Sequence, residues 1–427
     1  QEVCKSHRYP WRTKSVFGRE TQDLVRKKSE LLEMNFVKNL LTRTSRCMEN
    51  QETENDPPSP YPSGPRNSNA SRSSRTFQDP SPKAPLFGVM RCDSGNSSTA
   101  EPESDLEDAG LTLSGDISRD LRICLQKVGD ANRWRTDRFE KIRLLQNAAR
   151  NQGRVELMKE VSSGRFVAVK RMPIGWTGFN QQDFLRRHET ELEMPWVDVA
   201  LAKYLSLQRV NFVCDPVGTF RDECETFFVS SFADKGDLFE WCQNGPTPGL
   251  EREALLRPLV QQLFDAMKYL HGLEIAHCDL SLENILLMTN DEGNLQIKLI
   301  DFGMAAIQQH RIIGARGKPS YQAPEMHRVD YDPLLSDTFA VGVVVFGMVA
   351  QDYPWLSTKP AGCKCFDFAS TKGLRAYLHK RKARNSNGAR LAEVFTERLM
   401  ELLDMLLQLE PENRARLEQT DFPWLDE

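Results

Sequence analysis

The sequence predicts an α+β fold in which a strand-rich region precedes a helix-rich one. Two observations predict it. Short runs with strand character crowd the first region: residues 139–144 alternate as a first strand, 153–158 as a second, and 166–170 form a β-branched third. Helical patterns then take over. Residues 253–271 read as a strong amphipathic helix. The longest apolar run, 339–350, is glycine-broken and short of the ~18 residues a membrane span needs, so it reads as a buried helix.

At 427 residues the chain has room for two or three domains, and its formal net charge of -4 gives no reason to propose nucleic acid or a membrane as partner. The ten cysteines lack paired zinc spacing. Cys363-Lys364-Cys365 is the closest pair and has no matching second pair, so free thiols in a reducing cytoplasm or nucleus are expected. The chain opens on Gln1 rather than Met, which leaves a leader or lipid anchor open.

Residues 1–138 read as a largely disordered extension. Within it 21–41 has helical spacing, with Val25, Leu32, Phe36 and Leu40 in one stripe. Residues 51–108 are rich in Pro, Ser, Asn and Gly and offer too little apolar surface to offset chain entropy. Residues 111–128 read as a short helix leading into the folded part.

The chemistry-bearing stretch is His277-Cys278-Asp279-Leu280-Ser281-Leu282-Glu283-Asn284, followed after a short strand at 296–300 by Asp301-Phe302-Gly303. A carboxylate, an amide five residues on and a second carboxylate suit the handling of a metal-bound nucleotide. These residues resemble the eukaryotic protein kinase family, whose catalytic loop reads H-R-D-L-x-x-x-N and whose metal motif reads D-F-G. Companions occur in order on both sides. Upstream lies Val167-Ala168-Val169-Lys170, similar to the family's third strand and its lysine. Downstream come Ala323-Pro324-Glu325, then Asp337 with Gly342, then Arg414, similar to the family's A-P-E, its aspartate-to-glycine helix and its partner arginine.

The resemblance implies a two-lobed fold over 139–427, a sheet lobe with a C helix at about 139–233 and a mainly helical lobe at about 234–427. It implies transfer of the γ-phosphoryl of ATP, with Mg²⁺, to serine or threonine hydroxyls of protein substrates. Asp279 would orient the nucleophile, Lys170 would position phosphates, and Asn284 and Asp301 would bind the metal. Gly153, Val155, Ala168, the hinge residues Ser231 and Ala233, and Asp237 near the ribose would complete the nucleotide site. Ser230 falls at the gatekeeper position. Met304 after D-F-G leans towards serine as acceptor. Glu283 matches a position that in some relatives contacts arginine upstream of the target, which suggests basic substrates.

Several positions depart from the family. Only Gly153 survives of the three loop glycines, Ala148 and Arg150 holding the other two places, so weak ATP affinity is expected. The acidic partner of Lys170 is expected to be Asp198; Glu191 and Glu193 are rivals, but Pro195 follows them. Cys278 replaces the arginine that reads an activation-segment phosphate, and residues 304–319 contain no Ser, Thr or Tyr. Ser281 stands where serine/threonine kinases carry a lysine, while Lys318 stands where they carry a threonine. Hydroxyl and ammonium have traded loops, which makes Lys318 a candidate catalytic residue. The eroded glycine loop, Cys278 and Ser281 also fit a pseudokinase acting as a binding scaffold. The A-P-E element argues against a small-molecule acceptor. No EF-hand loop occurs, so calcium control within the chain has no support.

Overall fold

The computed structural model describes residues 113–148, 151–290, 292–328, 330–384 and 388–426. The helix expected at 21–41, the composition-biased stretch 51–108 and Arg150 lie outside the described residues. Helix α1 (Ile117–Gly129) comes first, followed by strands β1 (Asn132–Arg133), β2 (Phe139–Ala148), β3 (Gly153–Glu160) and β4 (Phe166–Pro173). Short helices α2 (Ile174–Thr177) and α3 (Gln181–Arg187) lead to α4 (Pro195–Leu207), β5 (Pro216–Arg221) and β6 (Glu225–Ser231). The six strands form one sheet in the order β1-β5-β6-β4-β3-β2, antiparallel except for the β1–β5 pair.

Alternation along the strands gives that sheet two different faces. One buries Phe139, Met158, Val167, Val169, Phe220, Phe227 and Val229. Trp134, just after β1, stacks on this cluster with ring centroids 4.0 Å from Phe227 and 5.1 Å from Phe139. The other face carries Val155 opposite Lys170, and Ala168 opposite Ser230, all turned the same way by register.

Helix α1 packs on α4 through Leu121, Cys124 and Val128 against Leu201, Tyr204 and Leu205. Its N-terminus is capped by Asp116, which accepts from Arg119 N. Asp120 locks the entry by accepting from Ser114 N at 3.0 Å and Ser114 Oγ at 2.7 Å. The sheet lobe is therefore extended by Trp134 and by a helix lying ahead of residue 139.

The helical region contains α5 (Leu238–Cys242), α6 (Leu250–Gly272), α7 (Pro333–Ala350), α8 (Lys364–Lys372), α9 (Leu374–Lys380), α10 (Leu391–Val394) and α11 (Glu397–Leu406), with strand pairs β7 (Ile275–Ala276)–β10 (Ala306–Ile307) and β8 (Ile285–Thr289)–β9 (Leu295–Leu299). Helix α7 is long and apolar enough to cross a membrane by composition, but 94% of that window is buried inside the fold, where it forms the central helix of the larger core. A Cβ on Gly342 would meet Leu407 Cδ2 at 2.7 Å, so glycine is what lets the segment after α11 approach α7. Mixed α and β structure, with a sheet lobe and a helical lobe, agrees with the expected fold class.

Candidate functional site

The site forms where strand β4, helix α4 and the loops around β7–β9 meet. Lys170 Nζ lies 2.9 Å from Asp198 Oδ2 and 3.4 Å from Asp301 Oδ1. Burial works against the ammonium, but the two carboxylates outweigh it and hold Lys170 above the ordinary lysine range. Lys170 in turn holds the Asp301 carboxyl below its usual range. Pro195 opens α4, which leaves Glu191 and Glu193 ahead of the helix and Asp198 in its first turn. The shorter aspartate brings the helix close: Asp198 Oδ1 also accepts from Phe302 N at 2.8 Å, and Met194 N donates to Gly303 O at 2.8 Å.

The loop 277–284 is suspended from α7. Asp337, buried, accepts from His277 N at 2.5 Å and Cys278 N at 2.9 Å. This grip sets the turn in which Cys278, just ahead of Asp279, takes φ +63°. Asn284 Nδ2 donates to Asp279 O at 2.7 Å and reaches Asp279 Oδ2 at 3.3 Å, so its amide oxygen is left for another partner. Asp279 Oδ1 is buried with no hydrogen-bond partner among the described residues. Burial pushes this carboxyl up to about 6, while Lys318 and His277 pull it back.

The traded pair meets in space. Lys318 Nζ donates to the buried Ser281 Oγ at 2.9 Å and sits 3.1 Å from Glu283. Gly317 makes the approach possible: with φ +74°, its added Cβ would meet Asp279 Oδ1 and Cys278 O at 2.9 Å each.

Sequence reasoning missed Arg316. Its guanidinium faces the Cys278 thiol and donates through Nη1 to Met304 O at 2.8 Å. The cation lost from position 278 is thus supplied two residues before Lys318, on the facing loop. The arginine in Arg316-Gly317-Lys318 was the available signal, but no motif spacing assigned it. Asn151 was also missed: it accepts from Gly153 N at 3.0 Å and reaches Glu193 Oε1 at 3.4 Å, tying down the turn that bears the surviving glycine.

The remaining expected residues are distributed as follows. Val155 and Ala168 share the cleft face of the sheet with Lys170. Ser231 is bound to Asp215 by both its N–H (2.9 Å) and its Oγ (2.9 Å), and Ala233 is buried beside it. Asp237 caps α5 by accepting from Glu240 N at 2.7 Å; burial raises its carboxyl, with Glu240 and Glu283 adding to the rise. Tyr321 is buried, its hydroxyl accepting from Leu282 N at 3.1 Å, so it is inaccessible to a modifying enzyme in this fold. Glu325 and Arg414 form a buried two-contact ion pair, the second contact at 3.0 Å.

The Asn284 amide oxygen and the Asp301 carboxylate fit Mg²⁺, which takes oxygen ligands and is usually held by one or two protein groups together with substrate phosphates.

Among curated proteins the chain is similar to serine/threonine-protein kinase SBK1 of Mus musculus, 28% identical over 267 residues, covering 61% of this chain and 60% of that protein. It is similar to serine/threonine-protein kinase ppk25 of Schizosaccharomyces pombe, 26% identical over 283 residues, covering 65% of this chain and 58% of that protein. It is also similar to CBL-interacting serine/threonine-protein kinase 16 of Arabidopsis thaliana, 28% identical over 244 residues, covering 53% and 48%. The chain spans less than two thirds of each of these relatives. Residues 151–424 match the protein kinase domain, and the chain belongs to that family.

Proposed function

We propose that the protein is a serine/threonine kinase that transfers the γ-phosphoryl group of ATP to hydroxyls of protein substrates. One observation carries the proposal: Lys170 bridges Asp198 and Asp301 across the lobes while Asp279 and Asn284 are hydrogen-bonded beneath them. That arrangement is pre-organised, and phosphoryl transfer depends mostly on positioning and charge.

In this reading Lys170 grips the α- and β-phosphates from the sheet side, with Gly153, Val155 and Ala168 covering the nucleotide and Ser231, Ala233 and Asp237 lining its far end. Asn284 and Asp301 would hold Mg²⁺, which would neutralise charge on the phosphates when bound. Asp279 orients the acceptor hydroxyl and takes its proton through the carboxylate oxygen that lacks a partner. Lys318 faces the transferring group from the opposite loop and offsets the charge that develops there. Arg316 holds the activation segment against Met304 in place of a phosphate–arginine contact.

Burial raises the Asp237 carboxyl, and Glu240 and Glu283 lie close enough to add to the rise; this group of acids supports a preference for basic residues upstream of the target. Glu283 already faces Lys318, so such a residue would share its carboxylate. The seven described cysteines that stand reduced support a cytoplasmic or nuclear setting.

The test is phosphorylation of a generic protein substrate with Mg-ATP, comparing the wild type with Asp279→Asn. A fall of about 10²-fold or more supports the reading. Equal turnover sinks it. Nucleotide binding with no turnover in either protein favours the scaffold alternative, for which the tied-down turn at Asn151 is the specific observation.

A further inference from the structure

The pair Cys363 and Cys365 takes no part in the site above, yet its surroundings are built for thiol chemistry. Cys363 stands at the N-cap position of α8 and Cys365 lies in its first turn, both partly exposed with the exposed Lys364 between them. Cys363 Sγ accepts from Leu356 N at 3.4 Å. The Cys365 thiol donates to it. The Arg381 guanidinium donates to Cys365 Sγ through Nη1 at 3.3 Å. Arg381 is itself fixed by Asp352 Oδ2 at 2.6 Å and Tyr353 O at 3.2 Å. The hydrogen bond from Cys365 outweighs burial, so Cys363 is lowered to about 4. A low-pKa, reachable thiolate beside a second thiol is the arrangement of a redox-responsive pair.

The pair is also wired to the activation segment. Leu356, whose N–H rests on Cys363, accepts from Ser320 Oγ through its carbonyl at 3.1 Å. Two residues on, Thr358 Oγ1 donates to Gln322 O at 2.8 Å. The 356–358 stretch therefore braces the segment that follows Lys318.

We propose that Cys363 and Cys365 form an oxidation-sensitive dithiol, in which a hydroperoxide oxidises Cys363 and Cys365 resolves it to an intramolecular disulfide. The Cys363 thiolate attacks the terminal oxygen of the hydroperoxide. An S–O bond forms, the O–O bond breaks, and the departing oxyanion takes a proton from water, leaving a sulfenic acid. The Cys365 sulfur then attacks the oxidised sulfur; the S–S bond forms and the S–O bond breaks. The hydroxyl leaves as water with the Cys365 proton. A dithiol reductant reverses the process. Once in a disulfide, Cys363 is a neutral and weaker acceptor, so its hold on Leu356 N–H loosens and the brace on Ser320 with it. The consequence for activity rests on the kinase reading; the thiol chemistry does not.

The full-length protein is treated with hydrogen peroxide, alkylated, digested and examined by mass spectrometry. The peptide carrying Cys363 and Cys365 is expected to lose about 2 Da, reversibly with dithiothreitol. Cys365→Ser is expected to accumulate a dimedone-trapped sulfenic acid at Cys363, and Cys363→Ser to show none at Cys365. The exposed Cys224 serves as internal comparison. Oxidation of Cys224 as fast as Cys363, or absence of the disulfide, overturns the dithiol. In the kinase assay, oxidation is expected to raise the KM for peptide several-fold with the KM for ATP unchanged, and Cys363→Ser to be insensitive. Unchanged peptide kinetics with the disulfide formed overturns the link to Ser320. Absence of all kinase activity counts against the proposed function and leaves the mass measurement to decide the dithiol.

Discussion

Two cations absent from the loop at 277–284 are present on the loop that faces it. Lys318 donates to Ser281, and Arg316 faces Cys278. The first exchange was legible in the sequence, because both halves fall at motif positions whose chemistry is defined. The second was only half legible: the loss at Cys278 is visible by register, but its compensation depends on how a loop folds back, which no spacing rule encodes. Asp279 yields a direct pH prediction. Its carboxyl stands raised to about 6, and only the ionised form accepts a proton. The ratio kcat/KM should therefore fall as pH drops through about 6. Lys318 favours the ionised form, so Lys318→Met should move this acidic limb to higher pH. A pH–rate profile of the two proteins checks it; an unmoved limb removes Lys318 from the site. Because Arg316 anchors Met304 without a phosphate, phosphatase treatment of the wild type should leave turnover unchanged. Arg316→Ala should lower it by about tenfold or more, the ~1.5–3 kcal/mol scale of a hydrogen bond to a charged group.

At the scale of elements, alternation made β2 and β3 readable and a β-branched run made β4 readable, whereas β1 and β5 went unread; α7 was readable in part, from the apolar run at 339–350. The docking of α1 was not. Its helical pattern shows in the sequence, but an apolar stripe does not name the surface that covers it. The structure gives that surface as α4, the helix bearing Asp198, and Ser118 Oγ reaches Gln308 at 2.5 Å beyond it. The helix thus braces the element that positions Lys170. Truncation immediately before Leu113 should preserve thermal stability and activity, whereas truncation before Phe139 removes α1 and Trp134 and should reduce both. Leu121→Ala should cost about 2–4 kcal/mol, measurable as a lower midpoint in urea. Equal stability of the two truncated proteins contradicts the bracing role.

For the whole molecule, the order of motifs exposed the two lobes, because each motif belongs to a particular place in the family's fold. What sequence order did not expose is the depth of the contacts that lock the helical lobe. Glu325 and Arg414 pair with both side chains buried, and Arg414 also donates to Leu335 O at 2.8 Å and Gln408 O at 2.8 Å. Breaking such a pair leaves a charge buried without its partner. Arg414→Ala should cost about 3–5 kcal/mol of folding stability, seen in denaturant unfolding. A change below about 1 kcal/mol would mean that the pair is held no better than a surface contact.

In the proposed kinase the cations stand at Arg316-Gly317-Lys318, while the acids keep the family's positions. The most direct test of this arrangement is Mg-ATP turnover by the wild type, Lys318→Ala and the reciprocal exchange Ser281→Lys/Lys318→Thr. The wild type should be active, Lys318→Ala should lose about 10²-fold, and the exchange should recover most of that loss. Unchanged turnover in Lys318→Ala, or a wild type no more active than Asp279→Asn, would contradict it.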